Sequence, residues 1–162
     1  MDADYIIAIN PGATSTKIAV YHSNKFVFLK TLRHECDELT AFKSTLDQLD
    51  FRLNLVLNEV LENHVPFDKV GLILARGGLI HPIESGVYEV NEAMIKDLEE
   101  GIMGDHASNL GGLIANRLLN KFPNAKAYIA DPVVVDELQD VARISGHPAF
   151  QRTNRRRGGQ QA

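Results

Sequence analysis

The sequence predicts an α/β domain with a mixed sheet, part antiparallel and part parallel, and elements in the order βββ-α-β-α-α-β. Three observations carry this expectation. The N-terminal segment holds three short β-branched runs separated by turn residues. The longest apolar stripe of helical period in the chain comes next. Two later apolar runs each follow a helical stretch, the alternation that builds parallel strands.

The first strands are expected over Tyr5–Asn10, Lys17–His22 and Phe26–Leu32, with Ser23-Asn24-Lys25 as the turn of a meander. A helix is expected from Asp37, a plausible N-cap, because Leu39, Phe42, Leu46, Leu49, Leu53, Val56 and Val60 recur at three- and four-residue steps. Pro66 closes that region, and Val70–Ala75 reads as a fully buried strand. Leu79 to Val90, with Pro82 and Gly86, reads as loop. Helices follow near 91–100 and 106–121. Gly111-Gly112 inside the second would lower helix propensity unless another backbone packs close there. Ala127–Ala130 is a short strand ending at Asp131-Pro132, and 133–141 reads as a short helix. Together these elements describe a ribonuclease-H-like lobe over residues 1–150.

Bulk properties narrow the function classes. At 162 residues the chain is long enough for one real core, and 44% hydrophobic with 23% charged residues is the balance of a soluble globular protein. A formal charge of −4 gives no reason to expect nucleic acid as partner. Cys36 is the only cysteine, so no internal disulfide is possible. With no signal-like N-terminus and no membrane-length apolar run, a cytoplasmic protein is expected. Residues 151–162 (QRTNRRRGGQQA) carry four arginines and no acidic residue. Such a segment cannot join a core and is expected to be a basic disordered tail, arising from a foreign or shifted reading frame.

The chemistry is expected at strand ends, where open α/β sheets gather ligands. Asn10-Pro11-Gly12-Ala13-Thr14-Ser15-Thr16-Lys17 joins the first two strands through small residues, with Gly12 free to take a positive φ. Such a turn aims backbone N–H groups, hydroxyls and one ammonium at a single point, the equipment for a phosphate. Its spacing is not that of a Walker loop, and a plain hairpin is the alternative. Arg76 ends an apolar strand ahead of Gly77-Gly78. Its planar fork suits a carboxylate or phosphate, though an arginine at a strand end is often only solvated. Asp131 is either a turn-forming aspartate or a cleft carboxylate orienting Mg²⁺ or substrate. His106 and Asn109 in GDHASNLGG are as compatible with helix capping, through Asp105 or Ser108, as with ligand binding. The remaining histidines, His22, His34, His64 and His81, show no metal-ligand spacing.

Three stretches together, INPGATSTKIAV, RGGLIHPIESGVYEVN and DHASNLGG with YIADPVVVDELQDVARISGHP, resemble the butyrate kinases. These are acetokinase-family enzymes of the actin-like ATPase superfamily, and the resemblance runs from Tyr5 to Arg152. It implies phosphoryl transfer from ATP to a short or branched-chain carboxylate, with Mg²⁺, giving an acyl phosphate and ADP. By the same resemblance Asn10, Gly12, Ser15, Thr16 and Lys17 form a phosphate loop, and Arg76 with Gly77, His106 and Asn109 binds substrate. Arg76 and Asp131 are catalytic, Asp131 also being the metal candidate. Ala13 departs from acetate kinases, which carry a serine hydroxyl there. The resemblance further implies that a second, nucleotide-binding lobe is missing, so the chain alone is expected to be inactive and to self-associate through uncovered apolar surface. A sugar-kinase-like or chaperone-like ATPase lobe and a non-catalytic binding fragment are the rival expectations.

Overall fold

The computed structural model describes residues 4–135, 137, 139–144 and 146. Strands β1 (Tyr5–Pro11), β2 (Ser15–His22) and β3 (Lys25–Arg33) form the expected antiparallel meander. Ser23 and Asn24 take left-handed φ values of 45° and 62° at the β2–β3 turn, the geometry a two-residue hairpin requires. Strand β4 (Val70–Arg76) pairs parallel to β1, and β6 (Lys126–Ala130) pairs parallel to β4. The six-stranded sheet runs β3-β2-β1-β4-β6-β5.

Its last member was not expected. Strand β5 (Val87–Glu89) lies inside the stretch read as loop and pairs antiparallel with β6 at the sheet edge. At three residues, beside Gly86 and Pro82, it carries no periodicity of its own. Its pairing comes from the neighbouring strand.

The long helix expected from Asp37 is two helices. Helix α1 (Cys36–Thr40) is preceded by Glu35 as N-cap, and the Glu35 amide donates to the Glu38 carboxylate at 3.0 Å. A break follows, then a 3₁₀ turn (Leu46–Gln48) leads into α2 (Leu49–Glu62). The break has a local cause. The Ser44 amide donates to Asp47 Oδ2 at 3.0 Å and the Asp47 amide to Ser44 Oγ at 3.2 Å, a reciprocal box that starts a new helix. The apolar stripe is accordingly buried only from Leu49 onward, with Leu46 36% exposed.

Helices α3 (Glu92–Glu100) and α4 (Asn109–Leu118) follow the expected positions, α4 starting later than His106. Asn91 caps α3 by accepting from the Met94 amide at 3.0 Å, and Gly101 ends it in the left-handed conformation at φ 61°. Among the described residues of the expected 133–141 helix, 133–134 make a turn, and helix α5 covers Asp140–Arg143. The tail expectation for 151–162 lies outside the described residues. Among the described residues, no helix is long and apolar enough to cross a membrane.

One sheet face is the core. Ile7, Ile9, Ile18, Val20, Ile73 and Ile129 point there, essentially inaccessible, and meet Val56 and Val60 of α2 and Leu110, Ile114 and Leu118 of α4. Helix α4 sits against β1, β4 and β6 because glycine allows it. A Cβ on Gly111 would lie 2.6 Å from the Arg76 carbonyl oxygen, and one on Gly112 2.8 Å from Leu98. Gly111 lets the helix approach the strand end that carries Arg76, and Gly112 makes room for Leu98 of α3.

Candidate functional site

The period of a strand places Ala8 and Asn10 on the sheet face opposite Ile7 and Ile9. On β2, Lys17 and Ala19 share that face; on β4, Leu74 and Arg76 do. Asn10 and Lys17 are direct partners across β1–β2. One step beyond the Ile9–Ala75 register, Asn10 lies beside Arg76, and Arg76 is opposite Ala130, the residue before Asp131. Four neighbouring strands therefore present Lys17, Asn10, Arg76 and Asp131 in a row. With adjacent strands about 4.8 Å apart, Lys17 and Arg76 stand roughly 10 Å apart at the backbone, within joint reach of one small anion. A cavity of about 450 Å³ opens here, lined by these four residues and by an apolar floor that includes Ala8, Ala19, Leu29 and Leu74.

Among the described residues, the side chains of Asn10, Lys17 and Arg76 have no hydrogen-bond or ion-pair partner within the protein. Asp131 is held. Its Oδ1 accepts from the Gly86 amide at 3.2 Å, while its own amide donates to the Gly86 carbonyl at 3.0 Å. Its φ of 41° is left-handed, a conformation that costs a non-glycine residue about 1 kcal/mol or more and that aspartate tolerates better than most. The exchange with Gly86 keeps it there. Pro132 packs against Gly77 so closely that a Cβ on Gly77 would stand 2.7 Å from the proline ring.

The Pro11–Ser15 loop differs from expectation at Gly12, which does not adopt a positive φ; a Cβ there would meet the Ser15 carbonyl oxygen at 3.4 Å, ordinary contact. The turn is closed instead by the Gly12 amide donating to the Ser15 carbonyl at 2.7 Å. Thr16 points to the other side of the sheet. It is fully buried, and its hydroxyl contacts Arg52 Nη1 at 3.1 Å and His34 Nε2 at 3.0 Å.

His106 and Asn109 are likewise set apart from the row. Asn109 is buried, its Oδ1 accepting from the Leu79 amide at 2.9 Å and its Nδ2 donating to the Gly104 carbonyl at 2.9 Å. It ties the segment after Arg76 to the start of α4. His106 Nδ1 accepts from the Ser108 amide at 3.1 Å, which places the proton of the neutral ring on Nε2.

Two polar groups beneath the loop escaped sequence reasoning. Arg52 is completely buried and His34 nearly so. Burial first, and then the Arg52 charge, push the His34 pKa below its ordinary value; burial alone lowers that of Arg52. The signal was present for Arg52, which stands three residues after Leu49 and four before Val56, on the apolar stripe itself. At the loop after β4, Ser85 donates from its backbone and its hydroxyl to Glu137, bonds that hold the Glu137 carboxyl below the usual range.

No protein-family model matches the chain. It is similar to butyrate kinase 2 of Clostridium acetobutylicum, 47% identical over 147 residues, which is 91% of this chain and 41% of that protein. It is 51% identical over 143 residues to a probable butyrate kinase of Bacteroides thetaiotaomicron, covering 88% of this chain and 40% of the relative. The chain thus spans about two fifths of the length of the curated relatives it matches. Among solved structures, acetate kinase of Porphyromonas gingivalis superposes with a TM-score of 0.58 at 11% identity, over 90% of this chain and 41% of that one. A propionate kinase of Francisella tularensis gives 0.55 at 11% identity, with the same coverage. The mixed six-stranded sheet with its helices is thus a fold shared with these acetate and propionate kinases.

Proposed function

From the premise that the chain is a homologue of the butyrate kinases over nine tenths of its length, we propose that it supplies the phosphate-loop and acyl-substrate side of a carboxylate kinase acting on butyrate or a similar short-chain acid. The observation that carries this is the row Lys17–Asn10–Arg76–Asp131, whose first three side chains face one cavity without a partner among the described residues. Two uncompensated cations beside an apolar floor suit a substrate with an anionic head and a short hydrocarbon tail.

In this reading Lys17 and the loop amides hold phosphate oxygens, and Arg76 grips the carboxylate and then the phosphoryl group it receives. Neutralising charge and setting donor and acceptor in line is most of what phosphoryl transfer requires. Asp131 fits a magnesium role. Mg²⁺ typically takes one or two carboxylates plus substrate phosphates, and Asp131 keeps one carboxylate oxygen without a partner among the described residues, beside Lys17 and Arg76. The metal would neutralise phosphate charge. Asn109 acts through the backbone it ties, and His106 offers Nε2–H toward solvent.

Turnover requires groups beyond these 162 residues, because the chain matches only two fifths of its relatives and one wall of a cleft cannot align two substrates. The test has two arms. The chain is incubated with ATP, Mg²⁺ and butyrate with hydroxylamine as acyl-phosphate trap, and butyryl phosphate binding is followed by calorimetry. No hydroxamate should form, and binding should be lost in R76A. Turnover in the usual kinase range of about 1–100 s⁻¹ would overturn the first statement, and undiminished binding by R76A the second.

A further inference from the structure

Arg52 is the largest fully buried side chain in the described protein, and its charge has no carboxylate partner among the described residues. Burying an unpaired charge is costly, so its surroundings must supply strong compensation. They do so from one place. Nη1 donates to the carbonyls of Gly12 at 2.8 Å and Ser15 at 3.3 Å and to Thr16 Oγ1 at 3.1 Å. Nη2 donates to the Ala13 carbonyl at 3.1 Å, and Gln48 Oε1 accepts from Nε at 3.1 Å and from Nη2 at 2.7 Å. The one loop carbonyl it leaves, that of Thr14, accepts from the His34 amide at 3.0 Å.

All four carbonyls from Gly12 to Ser15 are therefore drawn to the protein side. The amides of Ala13 and Thr14 have no acceptor among the described residues, and both residues are exposed. A loop whose carbonyls are tied back and whose amides are free offers adjacent donors to an anion. The guanidinium beneath adds positive potential in a setting that water screens poorly.

We infer that Arg52 is a positioning residue for anion binding: from beneath the sheet it fixes the Gly12, Ala13 and Ser15 carbonyls so that the Ala13 and Thr14 amides face the phosphate. The inference rests on the phosphate-loop reading above and adds a residue that touches no ligand. Arginine is required by shape, since lysine keeps the charge but lacks the planar fork that spans Gly12, Ala13 and Gln48 together.

The experiment is a titration of the isotope-labelled chain with inorganic phosphate, followed through the amide resonances of Ala13 and Thr14, for wild type, R52K and Q48A. Wild type should show saturable shifts at both amides. R52K, its β4 and β6 resonances unchanged, should bind about tenfold more weakly, the loss expected for misplaced charge-assisted contacts. Q48A leaves Arg52 in place but frees its fork, and should weaken binding in the same direction. It also serves as the deciding variant if R52K does not fold. If wild type binds and the folded variant matches its affinity and its shifts, the Arg52 inference fails while the loop reading stands. If wild-type Ala13 and Thr14 do not respond to phosphate, the loop reading itself fails.

Discussion

The close approach of α4 to the end of β4 makes Gly111→Ala the sharpest test of how the site is built. Helix propensity alone favours the substitution by about 0.8–1.0 kcal/mol. Packing opposes it. The added Cβ would stand 2.6 Å from the Arg76 carbonyl oxygen, where carbon–oxygen contacts normally begin near 3.3–3.6 Å, so one element must move by roughly 0.7–1.0 Å. The obstacle is backbone and cannot rotate away, which places the strain at about 2–3 kcal/mol, the upper part of the overpacking range. The net expectation is a loss of about 1–2 kcal/mol, or about 2–8 °C in Tm for a domain of this size. Urea and thermal unfolding by circular dichroism would read it, with butyryl phosphate titration reporting any displacement of Arg76. Gly12→Ala is the matched control: with 3.4 Å to its nearest neighbour and no positive φ, it should stay within about 0.5 kcal/mol of wild type. A Gly111→Ala protein as stable as wild type, or more so, would refute the claim that glycine is there for closeness.

His34 gives a pH dependence of fixed sign. Its folded pKa lies below the ordinary 6.5, so between the two values the unfolded chain binds more protons and stability falls as pH falls. H34Q should flatten this part of a urea-stability profile taken between about pH 7.5 and pH 5, by at most about 1.4 kcal/mol per pH unit. An unchanged profile would remove His34 as its source. Leu118→Ala, at a fully buried α4 position, should cost about 2–5 kcal/mol by chemical denaturation, whereas Val141→Ala, 70% exposed, should cost under about 0.5. The face opposite the core exposes Leu29 at 61%, Val27 at 44% and Tyr21 at 37%, so light scattering should show concentration-dependent association that L29K reduces. A monomer at every concentration would refute that expectation.

The sequence by itself determined the strands β1–β4 and β6 and the buried face of α2 from Leu49, and it singled out Asn10, Lys17, Arg76 and Asp131, the four residues the fold sets along one cavity. Each is legible because it depends on neighbours along the chain: alternation in a strand, three-and-four spacing in a helix, small residues in a turn. The Ser44–Asp47 box was legible by the same logic and overlooked, because the apolar period ran through it. Only the tertiary structure decided that β1 pairs with β4 and β4 with β6, which sets Lys17 and Asp131 at the ends of one row although 114 positions separate them. Strand β5 exists only because β6 offers it an edge. The fold also decided that Arg52, which the helical spacing sets on the apolar stripe of α2, meets the carbonyls of Gly12, Ala13 and Ser15 there. A buried cation is tolerated when dipoles from elsewhere in the chain converge on it, and convergence across distant segments is what a one-dimensional pattern does not contain.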